Sequence, residues 1–155
     1  MQSKPLFMYP PVWMATGLGA QWALDHYYPL LQLIAAPWPH WSDFLGIAII
    51  VASVLKVIWI NFQFKRAKTT IIPYKEPEAL LDTGFFAHSR NPIYLAMLFV
   101  LLGSALIYGS LSVLLPAIIF PFIIYYRFIR VEEAMMEEHL GEAYTAYKTR
   151  VRRWL

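Results

Sequence analysis

Gly84-Phe85-Phe86-Ala87-His88-Ser89-Arg90-Asn91-Pro92-Ile93-Tyr94 sets three polar side chains, His88, Arg90 and Asn91, against the start of a long apolar run. Asn91-Pro92 predicts that the run opens as a helix. Asn can accept hydrogen bonds from free N–H groups at the cap, and Pro at the first helical position has no N–H to leave orphaned. A second polar cluster, Arg127 to Glu138, follows the last apolar run of the chain. Polar donors at a helix mouth beside apolar surface suit a charged cofactor next to a greasy substrate. The two clusters are expected to meet, with the chemistry between them.

Working outward, the apolar runs decide the class. The chain has 155 residues, 59% of them hydrophobic and 15% charged. That is one domain, 1–155, with more apolar surface than a soluble fold of its size can hide. A helix needs about 20 mostly apolar residues to span a bilayer. The expected fold is therefore all-α and integral to the membrane, with about four spans near 11–26, 44–64, 92–108 and 111–129. The first is the weakest, because Asp25, His26 and Pro29 follow it closely. Tyr108-Gly109-Ser110 predicts a tight hairpin of the last two spans. Pro116 and Pro121 predict a kink in the fourth. An apolar molecule entering sideways from the bilayer would then pass Phe120, Phe122 and Tyr125; in the bland reading these aromatics simply pack against lipid or the third span. Charged but helix-favouring residues after Phe128 carry the fourth helix out of the bilayer, and 130–155 forms cytoplasmic helices. Gly141 suits a helix stop, and Tyr144, Tyr147 and Val151 recur on one face of the segment after it.

Charge distribution gives orientation. Lys65, Arg66, Lys68, Lys75 and Arg90 lie between the second and third spans, and Arg127, Arg130, Lys148, Arg150, Arg152 and Arg153 follow the fourth. The connections Asp25–Asp43 and Tyr108–Ser110 hold no Lys or Arg. The positive-inside rule puts both termini in the cytoplasm, as in a bacterial inner membrane or its equivalent. Basic residues that flank spans, with no separate basic domain, fit lipid headgroups rather than nucleic acid. The Trp-, Tyr- and Pro-rich 27–41 segment fits the outer interface. The chain has no cysteine, which excludes disulfides, thiolate metal sites and cysteine nucleophiles.

Each polar cluster has a bland reading beside a functional one. Arg90 could snorkel and Asn91 merely cap; yet Arg offers a fixed fork of donors that suits a carboxylate, and the helix start adds partial positive charge. Arg127, Arg130, Glu132, Glu133, Glu137, Glu138 and His139 could form a solvated helix with pairs such as Arg130 with Glu133. Two adjacent carboxylates could instead hold ribose hydroxyls or an ammonium group. Metal binding is disfavoured, since Glu138 and His139 are neighbours and share no helix face. Lys56, about two turns from the cytoplasmic end of its span, either snorkels or serves a function at depth. No phosphate-binding glycine loop, HExxH or GxSxG sequence occurs.

Gly84…Arg90-Asn91-Pro92-Ile93-Tyr94, followed by Glu132-Glu133, Leu140-Gly141, Tyr144, Tyr147 and Val151, resembles the paired motifs of the isoprenylcysteine carboxyl methyltransferase and phospholipid methyltransferase superfamily. The resemblance covers about Ile71–Leu155. It implies an integral-membrane enzyme that uses S-adenosylmethionine, with a pocket formed by the third-helix start, the fourth-helix end and the C-terminal segment. His88, Arg90, Asn91, Pro92, Tyr94, Glu132 and Glu133 would line that pocket, with Arg90 and Glu133 as the catalytic pair. Asn91, Ala96 and Leu140 stand where the family commonly has His, Gly and Phe, and none of these departures removes a charge. The implied acceptor is lipid-like or apolar: an isoprenylcysteine carboxylate, a phospholipid amine, a thiol or a phenol. Only a protonated amine would need a base, for which Glu133 or His88 is available. A non-catalytic membrane scaffold subunit is the competing reading, and a transporter the third.

Overall fold

The computed structural model describes residues 9–32, 41–66 and 80–155. These residues are helical almost throughout. Helix α1 runs Pro10–Tyr27, α2 Trp41–Arg66 and α3 Pro92–Tyr108. A short 3₁₀ turn, Gly84–Ala87, precedes α3. The last helix begins as α4, Leu114–Ile124, widens into a π turn at Tyr125–Ile129, and continues as α5, Arg130–Arg150. Among the described residues, two helices are long and apolar enough to cross a membrane: Trp41–Arg66 and the continuous Leu114–Arg150. Pro92–Tyr108 is a shorter apolar helix. Most of the interfacial 27–41 segment and of the loop before Gly84 lies outside the described residues.

Helix α2 packs along α3, and α1 packs against both α3 and α4. The α2–α3 contact is backbone to backbone. A Cβ built on Gly46 would stand 2.5 Å from the carbonyl oxygen of Gly103, and one on Gly103 would stand 2.8 Å from that of Gly46. Small residues of this kind let helices approach where water is not driving them together. On the other side of α3, Tyr94, Met97, Leu101, Ala117, Phe120, Ile124, Phe128 and Ile129 form the core, closed by Trp13, Met14 and Leu18 of α1. The fully buried Gln21 staples α1 into it. Its Nε2 donates to the carbonyls of Leu101 and Val113, each at 2.9 Å, and its Oε1 accepts from Ser104 Oγ. That saturated amide gives α1, the weakest of the expected spans, a specific seat.

Two local expectations change in detail and a third holds. The α3–α4 connection is longer than a three-residue turn, since α4 starts at Leu114. Gly109 terminates α3 in the left-handed conformation (φ 73°), and Ser110 then donates to Asp25 at 3.0 Å and bridges Gln32. These bonds to the end of α1 and the residues after it hold the chain extended, so the next helix cannot start at Leu111. The disturbance expected at the prolines also moves. Pro116 lies in the first turn of α4, where a missing N–H costs nothing. Four residues after Pro121 the helix widens, and the Arg130 N–H donates to Tyr125 O, five residues back. Gly141 breaks the helix as expected: its backbone is non-helical (φ 50°, ψ −123°), with helical turns on both sides. The chain reverses there, and the segment after Gly141 returns towards α3.

The backbone contact of α2 with α3 carries a direct test. Gly46→Ala and Gly103→Ala are expected to lower the melting temperature in detergent, at about 1–3 kcal/mol for an overpacked site. Gly19→Ala, where an added Cβ meets nothing within 4 Å, should leave it unchanged.

Candidate functional site

Three separated pieces of chain converge at one end of the bundle: the residues capping α3, the first turn of α5, and the tail after Val151. The tail lies along the cap. Arg90 N–H donates to Arg152 O at 3.0 Å, Asn91 Nδ2 donates to Arg153 O at 3.1 Å, and Ser89 Oγ reaches the same carbonyl at 3.4 Å. Asn91 occupies the N-cap position of α3, but its side chain makes no capping hydrogen bond. The expected cap amide is spent on the tail instead, and the Asn91 N–H is taken by Ser89 Oγ at 3.2 Å.

This arrangement brings charge together. Arg153 grips Glu133 with a bidentate fork, Nε to Oε1 at 3.0 Å and Nη2 to Oε2 at 2.8 Å. Such pairs combine charge with matched geometry. Arg90 Nη2 lies 3.3 Å from Glu133 Oε1, with its side chain only 9% exposed. Arg90 Nε and Nη1 are buried and have no hydrogen-bond partner among the described residues. Arg153 also lies over the ring of Tyr125, 4.9 Å from its centroid. The bland pairing of Glu133 with Arg130 is not the one made: Arg130 lies over Tyr126 on the outside.

The neighbouring acid is treated differently. Glu132 Oε1 accepts from Tyr94 OH at 2.6 Å, and no guanidinium pairs with it among the described residues. Burial pushes the Glu132 carboxyl above its ordinary value; the Tyr94 hydrogen bond opposes that rise and the Glu133 charge adds to it. Beyond the break at Gly141, Tyr144, Tyr147 and Val151 form a buried cluster with Leu80, Met136 and Leu140. Tyr147 OH donates to Phe86 O at 2.7 Å, and burial pushes its phenol up to about 12.

Arg90, Tyr94, Glu132 and Glu133 therefore meet, with Asn91 and Pro92 buried beside them. His88 does not join them; it is exposed at the end of the 3₁₀ turn. His139 is exposed too, bonded to Met135 O, and Glu137 pairs with Lys148, both away from the cluster. Lys56 is half-buried with its ammonium 5.0 Å from the Phe85 ring centroid. Of the three aromatics expected along a lateral entry, Phe120 is in the core, Phe122 is exposed and Tyr125 touches Arg153. Arg153 is the residue that sequence reasoning passed over. Nothing local distinguishes it from Arg150 or Arg152.

A family model described as phospholipid methyltransferase matches residues 41–143. The chain belongs to that family. The match includes α2, α3 and the Glu132-Glu133 pair and stops short of the tail that carries Arg153. An uncharacterised protein of Haemophilus influenzae is 40% identical over 63 residues, which is 41% of this chain and 100% of that protein. No solved structure matches.

Three stability outcomes follow from the acids. Glu133→Gln strands two guanidiniums and is expected to cost about 2 kcal/mol, less than the roughly 3–5 of a fully buried pair because Arg153 keeps some exposure. Glu137→Gln, in an exposed pair, should cost about 0–1 kcal/mol. Glu132 runs the other way. Its folded carboxyl holds a proton more tightly than the unfolded one, so stability falls as pH rises through the gap between the two values. Glu132→Gln should therefore melt above wild type at neutral pH. The difference should close as pH falls below the ordinary glutamate range.

Proposed function

We propose that this protein is an integral-membrane, S-adenosylmethionine-dependent methyltransferase acting on a lipid-borne or other apolar acceptor. The observation that carries the reading is Arg90. It is buried and held by Glu133 on one nitrogen, with two further donors unpartnered among the described residues, in a chain of the phospholipid methyltransferase family. Buried donors left unmade are costly, and a carboxylate with two oxygens satisfies a guanidinium fork. The amino-acid end of S-adenosylmethionine has that group. The cofactor, when bound, supplies the activated methyl group.

The chain's own residues then align and exclude water. Arg90 holds the carboxylate. Glu133 fixes Arg90 in place, and Arg153 neutralises the second oxygen of Glu133. Asn91 and Ser89 tie the tail across the site. Pro92 opens α3 so that its first turn faces the same space. His88, on the surface, belongs to the rim. The whole chain is one domain in this reading, with the helices of 10–27, 41–66, 92–108 and 114–129 crossing the bilayer and both termini in the cytoplasm. The side chains that α2 exposes, including Phe44, Val51, Leu55, Ile58 and Phe62, then face lipid rather than water. The acceptor arrives from that medium, past Phe122 towards Tyr125.

Calorimetry with S-adenosylhomocysteine tests the reading. Wild type should bind it. Arg90→Lys keeps a charge for Glu133 but loses the planar fork, and should weaken binding by about 1.5–3 kcal/mol, the value of a hydrogen bond to a charged group. A well-folded wild type that binds neither this compound nor S-adenosylmethionine would sink the proposal and leave a non-catalytic scaffold.

A further inference from the structure

We infer that Lys56 holds the phosphate of a resident membrane phospholipid on the α2 side of the α3 mouth, in a site separate from the cofactor pocket. The inference needs the membrane-spanning reading above but not methyl transfer.

The register of α2 against α3 sets the depth of Lys56. A Cβ on Gly46 would meet Ile107 as well as Gly103, and one on Gly103 would meet Ile50 as well as Gly46. Residue numbers therefore rise along α2 as they fall along α3, so the helices are antiparallel with Gly46 level with Gly103. Ten residues on from Gly46 is Lys56, and ten back from Gly103 is Ile93, in the first turn of α3. The same register sets Trp41 level with Tyr108, so the two helices share their outer end. Helix α2 has 26 residues and α3 has 17, about 39 Å against about 25 Å. The whole difference falls at the cytoplasmic end, where α2 runs on past the α3 mouth. Its outer side stays apolar there, with Ile58, Trp59 and Phe62 all exposed. Lys56 is thus a cation inside the apolar part of α2 and level with the start of α3.

The surroundings of Lys56 supply no anion. The Gly84–Ala87 turn packs on this end of α2, with Gly84 against Gln63 and Phe86 edge-on to Phe64. From that turn the Phe85 ring meets the Lys56 ammonium, 5.0 Å from the centroid. Among the described residues that ring is its one electrostatic partner: no carboxylate pairs with it and no oxygen accepts from it. A ring face attracts a cation but takes none of the three hydrogen bonds an ammonium offers. An ionised side chain at membrane depth is costly without a partner and marks a functional site by default. Around the helix, Lys56 lies on a boundary. Ser53 and Ile60 on one flank are buried, and Leu55 and Trp59 on the other are exposed.

The short helix decides what reaches this boundary. A span of about 25 Å falls short of a hydrocarbon core of about 30 Å, and a short span thins the bilayer around it. Thinning on the cytoplasmic side brings lipid phosphates down to the α3 mouth, the level of Lys56. Lysine binds phosphate as a point charge with rotatable donors. The acyl chains of the same lipid run along Leu55 and Trp59, a contact that a soluble anion cannot make. The bound phosphate in turn fixes the bilayer surface at the height of the α3 cap.

The test uses the full chain, delipidated in detergent and titrated with dioleoylphosphatidylglycerol, which carries no amine. Native mass spectrometry reads lipid binding, and the melting temperature is followed beside it. Wild type should hold one lipid through detergent washing that strips the rest, and the lipid should raise its melting temperature. Lys56→Gln should bind that lipid at least about 10-fold more weakly, the loss of a hydrogen bond to a charged group, and should melt at the same temperature with and without it. Lys56→Arg keeps the charge and should keep the lipid. The exposed control Lys65→Gln should behave as wild type. Equal retention by wild type and Lys56→Gln overturns the inference, because Lys56 then only snorkels. An equal loss in Lys65→Gln overturns it as general surface charge. Loss of the lipid in both Lys56 variants with a lowered lipid-free melting temperature overturns it as packing. If inorganic phosphate displaces the lipid and gives the same thermal shift, the site is one for a soluble anion and the lipid assignment is lost. No readout here involves S-adenosylmethionine, so failure of the methyltransferase reading leaves this test intact.

Discussion

A single carboxylate, that of Glu133, holds the site together. Its side chain is 12% exposed and meets guanidiniums from two places far apart in sequence, Arg90 and Arg153. Charges taken out of water in this way are stable only when geometry and further hydrogen bonds compensate them. The ion pair therefore closes only if the α3 cap, the first turn of α5 and the tail are all in register. The tail's carbonyls then fall where Arg90 N–H, Asn91 and Ser89 can use them. The orientation of Arg90, with two donors unmade among the described residues, is a consequence of the same constraint.

The π turn is what aims the acids. A residue in an α-helix advances by about 100° around the axis, so one additional residue in a turn rotates everything after it. With Tyr125–Ile129 wound as a π turn, Phe128 and Ile129 enter the core and Glu132 and Glu133 face the start of α3. Single π turns inside α-helices recur at functional sites. Here the turn also puts the Tyr125 ring under Arg153, joining the apolar bundle to its charged end. The break at Gly141 completes the path, because the residues after it must come back to place Tyr147 against Phe86 and Arg153 against Glu133.

The rest of the bundle holds these parts still with few polar atoms. Gln21 satisfies two backbone carbonyls and a serine at once, and the Gly46–Gly103 contact lets α2 and α3 touch along their backbones. In an apolar surrounding, close packing and saturated hydrogen bonds replace the drive that water would supply. The position of the α3 cap, and with it Arg90, is inherited from these two contacts.

Much of this was legible from the chain alone because it depends on neighbours in sequence. Asn91-Pro92 marks a helix start, the apolar runs mark helices, Gly141 marks a break, and the spacing of Tyr144, Tyr147 and Val151 marks a buried face; propensity and periodicity act over a turn or two. The two polar blocks could also be paired, since one opens an apolar run and the other follows one, both on the side where the sequence collects positive charge. What the sequence could not decide is which partner each polar atom takes. Asn91 bonds the tail rather than its own helix, Glu133 takes Arg153 rather than Arg130, Glu132 takes Tyr94, and His88 stays outside. Those choices turn on one extra residue in the π turn and on the path after Gly141. Both are set by packing between residues far apart in the chain, where a rotation of one position exchanges a buried ion pair for a solvated one.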